Sequence, residues 1–197
     1  MDFKLISLKA YDKKRTKLKL LLESTEGERF EYVVSEGTYR GIGCPLSGDF
    51  LSSELIEELV REDEEIRATK KALGILSYAD NSTARLRMKL ARAGFSKRAS
   101  EEAISSLVRA GLLDDNRQVK IRVEALWRSQ LAGPRRILAK LSAEGYSSSS
   151  VRAAISELKE EGVIDFALSK RKLLEKKQPE NFEEKQKLLY RYGYVYD

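Results

Sequence analysis

Residues 85–114, RLRMKLARAGFSKRASEEAISSLVRAGLLD, recur without a gap as residues 136–165, RILAKLSAEGYSSSSVRAAISELKEEGVID. Eleven of the 30 aligned positions are identical, and conservative pairs such as Phe95 and Tyr146 add to the match. A period of about 50 residues with recurring Leu, Ala and Gly is typical of small helical units that follow one another along the chain. This internal repeat therefore predicts a helical-repeat fold.

Both repeats predict three helices separated by glycine-containing turns. The first helix of each carries an apolar stripe at helical spacing, Ala72, Leu73, Leu76 and Ala79 in the first repeat and Val119, Val123, Leu126 and Trp127 in the second. Gly94 and Gly145 are expected to end the second helices in the left-handed conformation. The same Leu-x-x-x-Gly-aromatic pattern returns at residues 189–194, which predicts a third unit without its third helix.

The first 35 residues have strand patterns instead, at residues 3–8, 17–20 and 30–34. We expect these segments to form a small antiparallel sheet, followed by a glycine-rich loop over residues 37–48. A helix is expected to start at Ser52 or Ser53. It leads into the acidic run Glu62-Asp63-Glu64-Glu65, which we interpret either as a linker or as an exposed helix face.

The predicted fold class is mostly α, with tandem three-helix repeats in an elongated array preceded by a small antiparallel β segment. We divide the chain into five predicted segments. They are a β-rich N-terminal domain at 1–51, a helix or linker at 52–69, repeat 1 at 70–115, repeat 2 at 116–165 and a truncated repeat 3 at 166–197.

Composition restricts the possible functions. The chain has no histidine and a single cysteine, Cys44, so the commonest general base and most zinc ligand sets are missing. We therefore expect no enzymatic activity, no cofactor and no metal. Asp2 and Lys4 follow Met1 where a signal peptide would be apolar, and no apolar run is long enough to span a bilayer. A cytoplasmic protein without a membrane contact is expected.

Charge is distributed unevenly along the chain. Residues 1–69 carry a net charge of −4, and residues 70–197 carry +10. A basic helical array suits a polyanion, or a protein partner that is itself bound to one. The alternative is a lysine-rich surface that serves solubility alone.

Basic side chains on the repeat helices are the candidate contacts. Arg85, Lys89 and Arg92 share one face of the predicted second helix of repeat 1. The remaining candidates lie in repeat 2 and are Arg135, Arg136, Lys140, Arg122 and Arg128. Arg136 and Lys140 repeat Arg85 and Lys89, and Arg135 precedes them, so we expect these residues to belong to the same kind of site. We expect Arg122 and Arg128 to be partly structural.

Several other residues have simpler explanations than a binding site. Trp127 lies on the apolar stripe, which favours core packing over base stacking. The pair Asp114-Asp115 is interpreted as a helix N-cap and not as a metal site, and the glycines of Gly41-x-Gly43 as turn residues. The C-terminal tyrosines suit either an interface or a frayed terminus, and they are Tyr190, Tyr192, Tyr194 and Tyr196.

Four passages stand out in the repeats: Leu90-x-x-x-Gly94-Phe95, Gly111-Leu112-Leu113-Asp114-Asp115, Gly133-Pro134-x-x-Ile137 and Leu141-x-x-x-Gly145-Tyr146. Together they resemble the RecX family of RecA regulators. The resemblance covers residues 70–194, and the N-terminal segment resembles more loosely an extra segment of longer members. The chain departs from the family pattern at Asp80-Asn81-Ser82, at Gln118-Val119 and in its truncated third unit.

The resemblance implies a regulator that lies along the RecA filament on DNA and contacts more than one RecA subunit. Such a protein would lower the ATPase, recombinase and coprotease activities of RecA in recombination and SOS DNA repair. It would bind DNA itself more weakly, and we expect it to be a monomer.

Two other classes of protein are considered. A helix-turn-helix transcription regulator would need a recognition helix rich in Arg, Asn or Gln, whereas the third helices, 100–109 and 151–161, are rich in Ala, Ser and Glu. A hydrolase or nuclease would need carboxylates clustered with a metal or a base, and the acidic runs have no such spacing.

Overall fold

A computed structural model describes residues 2–195 of the chain. Met1, Tyr196 and Asp197 lie outside the described residues, and so does the prediction made for the Tyr196 side chain. The N-terminal elements are β1 (Phe3–Ala10), β2 (Lys17–Ser24), β3 (Arg29–Ser35), α1 (Glu36–Gly41) and β4 (Phe50–Leu51). The helices that follow are α2 (Ser53–Tyr78), α3 (Thr83–Arg92), α4 (Lys97–Arg109), α5 (Asp115–Gln130), α6 (Pro134–Ala143), α7 (Ser148–Glu160), α8 (Phe166–Lys177) and α9 (Phe182–Tyr192).

The four strands form one antiparallel sheet in the order β3-β2-β1-β4. Leu5 pairs with Leu22, and Leu20 pairs with Tyr32, so alternate side chains reach the same face. That face is buried together with Ile56 and Leu59 of α2. The predicted small antiparallel sheet is confirmed, with a fourth strand of two residues that is too short to show an alternating pattern.

The segment predicted as a loop over residues 37–48 begins with a short helix. Ser35 stands at its N-cap, where the Ser35 hydroxyl accepts a hydrogen bond from the Thr38 amide at 3.1 Å. This N-cap makes one helical turn stable despite the two glycines, Gly37 and Gly41. Gly43 and Gly48 then adopt positive φ, as the turn interpretation predicts.

The helix α2 is longer than the sequence pattern suggests, because it continues through the acidic run at 62–65. No Gly or Pro interrupts residues 53–73, and glutamate is a good helix former, so nothing local ends the helix there. The linker interpretation of the run is therefore wrong. The run is helical, but the expected exposed face is also wrong, because Asp63 is buried and the three glutamates are half-buried.

The described residues up to Ile75, with Lys89–Leu107, make one compact unit, and Leu76–Met88 with the described residues from Val108 make a second. In the second unit α5, α6 and α7 enclose a core that includes Val123, Ile137 and Leu158. Helices α8 and α9 follow and enclose a smaller core around Leu173 and Leu189. The five predicted segments stay a prediction, since a compact cluster does not show which parts fold independently.

The helix ends predicted at Asp114, Gly94 and Gly145 are confirmed. Asp114 and Asp165 are N-caps, and their carboxylates accept hydrogen bonds from the amides of Arg117 and Leu168 respectively. Gly145 follows α6 with φ +91°, in the left-handed region that a Cβ disfavours. The mostly helical fold with a preceding antiparallel sheet is thus the predicted one.

Candidate functional site

The turn before α3 packs closely on the turn that follows α6. The buried Ser82 hydroxyl donates to the Glu144 carbonyl oxygen at 2.6 Å and accepts from the Arg85 amide at 3.2 Å. A Cβ placed on Gly145 would lie 2.7 Å from Ser82 Oγ. Glycine is therefore needed at position 145 for the close approach as well as for the positive φ.

The same junction recurs one repeat later. The Gly133 amide donates to the Tyr192 carbonyl at 2.7 Å, and the Arg135 amide donates to the Gly193 carbonyl at 3.1 Å. A Cβ on Gly193 would overlap the backbone nitrogen of Arg136. The start of each second helix thus lies against the glycine turn that ends the second helix of the following unit.

One pair of residues changes together between the two junctions. In the first junction the Thr83 amide donates to the Asp115 carboxylate at 2.9 Å. In the second, the corresponding residues are Pro134, which has no amide hydrogen, and Phe166, which has no acceptor. Both of these line one cavity of about 780 Å³. The polar pair of the first junction is therefore replaced by an apolar pair, without leaving an unpaired donor.

These junctions place equivalent arginines, Arg85 and Arg136, at the start of two helices. Arg85 is exposed. Arg136 is half-buried, because its guanidinium lies 5.0 Å from the Tyr192 ring centroid and donates to the Arg191 carbonyl at 3.2 Å. The Arg136 side chain therefore helps to fix α9 in place, whereas the Arg85 side chain remains accessible to a binding partner.

Arg85 lines a polar cleft of about 220 Å³ that also includes Asp80, Arg122, Glu144 and Tyr146. The Arg122 guanidinium donates two hydrogen bonds to the Glu144 carboxylate, at 2.6 and 3.2 Å. These hydrogen bonds raise the pKa of Arg122 above its ordinary value despite partial burial. The expectation that Arg122 is partly structural therefore agrees with its geometry.

Burial raises the pKa of Tyr146, the aromatic residue of this cleft, and the charge of Asp115 adds to the effect. Its neutral hydroxyl donates to the Gln118 side-chain oxygen at 3.1 Å. Ser169, the counterpart of Gln118 in the third unit, shares a hydrogen bond of 2.8 Å with the Tyr194 hydroxyl, which donates to the Leu131 carbonyl at 2.9 Å. Each tyrosine thus ties the end of a second helix to the first helix of its own unit.

The structure separates the remaining candidates by their contacts. The Lys140 ammonium donates to Gln130 at 2.6 Å, and Arg128 pairs with Glu124 on its own helix at 2.5 Å. Lys89 is half-buried, while Arg92 and Arg135 are exposed. Exposed pairs of the Arg128–Glu124 kind are worth little and are easily exchanged for another anion.

Arg135 lies beside Tyr190, one of the C-terminal tyrosines for which the sequence suggested a single joint interpretation. Tyr190 is 76% exposed and lines a cavity of about 480 Å³ with Arg135 and Lys187. Tyr194, four residues later, is buried in the core. Tyr190 lies on α9, whereas Tyr194 follows the glycine turn that ends α9, where its amide donates to the Leu189 carbonyl at 3.0 Å. The only sequence signal for this difference is the Leu-x-x-x-Gly-aromatic pattern, which assigns Tyr194 to the helix cap.

Two simpler explanations from the sequence are supported. Trp127 packs against the core of the second unit, and its indole N–H donates to the Asp165 carbonyl at 3.1 Å. Asp114 is an N-cap. Among residues 2–195, no three Asp, Glu or Cys side chains are close enough to hold a metal ion. None of the helices in that range is both long enough and apolar enough to cross a membrane.

No protein-family model matches the chain. Among curated proteins, the regulatory protein RecX of Clostridium perfringens strain 13 is 32% identical over 151 residues, which cover 73% of this chain and 70% of that protein. The chain belongs to the RecX family. The RecX protein of Lactobacillus johnsonii is 30% identical over 120 residues, 61% of this chain, but the match spans only 44% of that longer relative.

Solved structures of RecX proteins have the same fold. A crystal structure of regulatory protein RecX superposes with a TM-score of 0.70 over 98% of this chain and 95% of its own, at 19% identity. RecX from Lactobacillus salivarius superposes with a TM-score of 0.57 over 68% of this chain and 91% of its own, at 21% identity. Both structures show the fold that this chain shares with them.

Proposed function

We propose that this chain binds RecA filaments on DNA, restrains their growth and so lowers RecA's ATPase, recombinase and coprotease activities, without being an enzyme itself. The 32% identity with a RecX protein over 73% of the chain carries the proposal. The net charge of +10 on residues 70–197 supports it, because a basic surface accelerates the encounter with a DNA-bound partner. Location in the cytoplasm and a role in SOS repair belong to the same proposal.

Among the candidate residues, we assign the direct contacts to the exposed arginines Arg85, Arg92 and Arg135. Lys89 and the internally bonded side chains of Arg122, Arg128, Arg136 and Lys140 would support these contacts or join them after exchanging partners. An arginine that is not ion-paired with a carboxylate can use the planar set of N–H donors on its guanidinium to bind a phosphate or a carboxylate of the partner.

The test is a titration of RecA's DNA-dependent ATP hydrolysis at fixed single-stranded DNA. A protein that docks on a filament and stops its growth lowers hydrolysis at less than one molecule per RecA subunit, because one blocked end prevents many later additions. We expect inhibition at these low ratios, and extra single-stranded DNA should not relieve it.

Competition for bare DNA gives a different result. It needs enough copies to cover the DNA lattice, and excess DNA reverses it. Inhibition that appears only near DNA saturation and disappears with added DNA would show that the chain is a DNA-binding protein and not a filament regulator. A direct binding measurement to RecA without DNA separates the two further.

A further inference from the structure

A groove runs between α8 and α9 in the third repeat, with a volume of about 340 Å³. It is lined by Ala167, Lys170, Arg171, Leu174, Lys185 and Leu189. Alanine and leucine side chains form its apolar part, and two lysines and an arginine supply its charge. The groove is separate from the arginines assigned above.

The internal repeat identifies the equivalent positions in the second repeat. Helices α5 and α8 both begin directly after an N-cap aspartate, Asp114 or Asp165, at an offset of 51 residues. Helices α6 and α9 both end just before the glycine turns at Gly145 and Gly193, at an offset of 48. The groove residues, in the order given above, correspond to Asn116, Val119, Lys120, Val123, Ile137 and Leu141.

In the second repeat these positions lie under the third helix, α7. The four apolar ones belong to the same core cluster as Val151, Ala154 and Leu158 of α7. The Lys120 ammonium, which corresponds to the Arg171 guanidinium, lies 2.5 Å from Glu157 of α7 and 3.9 Å from Glu161, the C-cap residue of α7. The α8–α9 groove therefore corresponds to the surface that the third helix covers in the second repeat. After α9 the described part of the chain contains only residues 193–195, so no described helix occupies it.

Two groove positions that are apolar in the second repeat are lysines in the third. Lys170 stands where the second repeat has the buried Val119, and Lys185 stands where it has the buried Ile137. Leu174 and Leu189 keep the apolar character of Val123 and Leu141. A purely apolar third helix would bury two unpaired ammonium groups, which is costly. Carboxylates at the edges of the incoming helix would pair with them.

We infer that the α8–α9 groove binds an amphipathic helix with acidic flanks, supplied by a protein partner. The apolar stripe of that helix packs on the half-buried Leu174 and the exposed Ala167, beside the buried Leu189, and its carboxylates meet Lys170, Arg171 and Lys185. DNA phosphates can pair with the same cations, but a sugar-phosphate backbone has no apolar stripe to cover Leu174 and Ala167. The inference does not depend on RecA being the partner.

The test uses the full chain and two labelled peptides derived from the α7 sequence, residues 147–162. The acidic peptide carries Arg152→Glu and Lys159→Glu, and the basic peptide carries Glu157→Lys, Glu160→Lys and Glu161→Lys. Both keep the apolar residues Val151, Ala154, Ile155 and Leu158. We expect the fluorescence anisotropy of the acidic peptide to saturate, with a Kd at least about tenfold lower than that of the basic peptide.

Variants of the chain locate the binding. Lys170→Glu with Lys185→Glu should weaken the acidic peptide about tenfold and strengthen the basic one, which an unfolded variant could not do. The matched control is Lys172→Glu with Lys176→Glu, two exposed lysines of α8 outside the groove lining, and it should change either Kd less than about twofold.

Three results would overturn the inference. One is equal affinity for the two peptides, and another is equal loss of acidic-peptide binding in both double variants, which would indicate general charge attraction. The third is that the groove binds a different occupant and no acidic peptide. In that case the chain would bind a single-stranded oligonucleotide, or self-associate in sedimentation, and the groove variant would abolish this binding.

Discussion

At the residue scale, Gly145 combines two constraints that, among the glycines of residues 2–195, only Gly193 shares. The Gly145 φ of +91° disfavours any Cβ, and that Cβ would lie 2.7 Å from Ser82 Oγ. Gly162 also has positive φ, but nothing lies within 4 Å of its Cβ position. We predict that Gly162→Ala costs about 1–2 kcal/mol of stability and that Gly145→Ala costs about 1–3 kcal/mol more.

Urea unfolding followed by circular dichroism measures the difference. Adding Ser82→Ala removes the hydroxyl that the new Cβ would meet, so the double variant should be destabilised by less than the sum of the single changes. Equal losses for the two glycine variants, with strict additivity, would show that the close approach at this junction contributes nothing.

At the element scale, the acidic run of α2 covers the open edge of the sheet. Asp63, only 6% exposed, accepts a hydrogen bond from the Val33 amide of the edge strand β3 at 2.9 Å and pairs with Arg67 at 2.7 Å. Glu62 accepts from the Ser35 amide at 3.1 Å. The two carboxylates satisfy alternate outward-facing amides that an unprotected edge would offer to another chain.

We predict that Asp63→Ala destabilises the chain by about 1–3 kcal/mol, since it leaves a partly buried amide and Arg67 without their partner. Asp63→Asn keeps an oxygen acceptor and should lose less. Glu57→Ala is the matched control, because the exposed Glu57–Arg61 pair lies on the same helix and is worth at most about 1 kcal/mol. Thermal unfolding that ranks Glu57→Ala with Asp63→Ala would contradict the edge-capping role.

The next carboxylate of the run makes stability depend on pH. Hydrogen bonds from the Ser96 amide and hydroxyl, both 2.7 Å long, hold the pKa of Glu64 below its ordinary value of 4.5. A folded-state pKa that is lowered stabilises the fold above the unfolded pKa, and this contribution disappears as pH falls through the folded value. We predict that Glu64→Gln flattens the loss of stability as pH falls from about 5 through the lowered pKa of Glu64. An unchanged slope of unfolding free energy against pH would contradict the prediction.

At the scale of the whole molecule, the uneven charge of the chain predicts where DNA phosphates are neutralised. Changing Arg85, Arg92 and Arg135 to Glu should weaken single-stranded DNA binding at low salt and lower the slope of log K against log salt by about 2–3. The control triple variant, Lys9→Glu, Lys13→Glu and Lys14→Glu, removes the same charge from exposed positions of the sheet segment.

The control should keep nearly the original salt slope, because its lysines belong to the acidic part of the chain. Fluorescence titrations at several salt concentrations measure both variants. If the two triple variants lose the same slope, net charge alone attracts DNA and the three arginines have no special role. The ATPase titration with the arginine variant then shows whether DNA contact is needed for regulation.

The sequence by itself determined the repeat architecture, the strand segments and the helix ends, because these depend on periodicity and on capping within a few residues. Asp114, Gly94 and Gly145 have the conformations that their local patterns predict. The eight candidate basic residues were also visible. Which of them remain accessible was not, because the partner of Arg122 is Glu144, 22 residues away, and that of Arg136 is on α9.

Only the tertiary structure decided what the non-local contacts do. The acidic run looked like a solvated segment, yet Asp63 reaches an amide 30 residues earlier in the chain and Glu64 reaches Ser96 32 residues later. Packing also creates the close approach at Gly145, the Thr83–Asp115 pair and the cationic groove between α8 and α9. Hydrogen bonds between distant residues leave no periodic signal, since their spacing is set by how helices and strands meet in space.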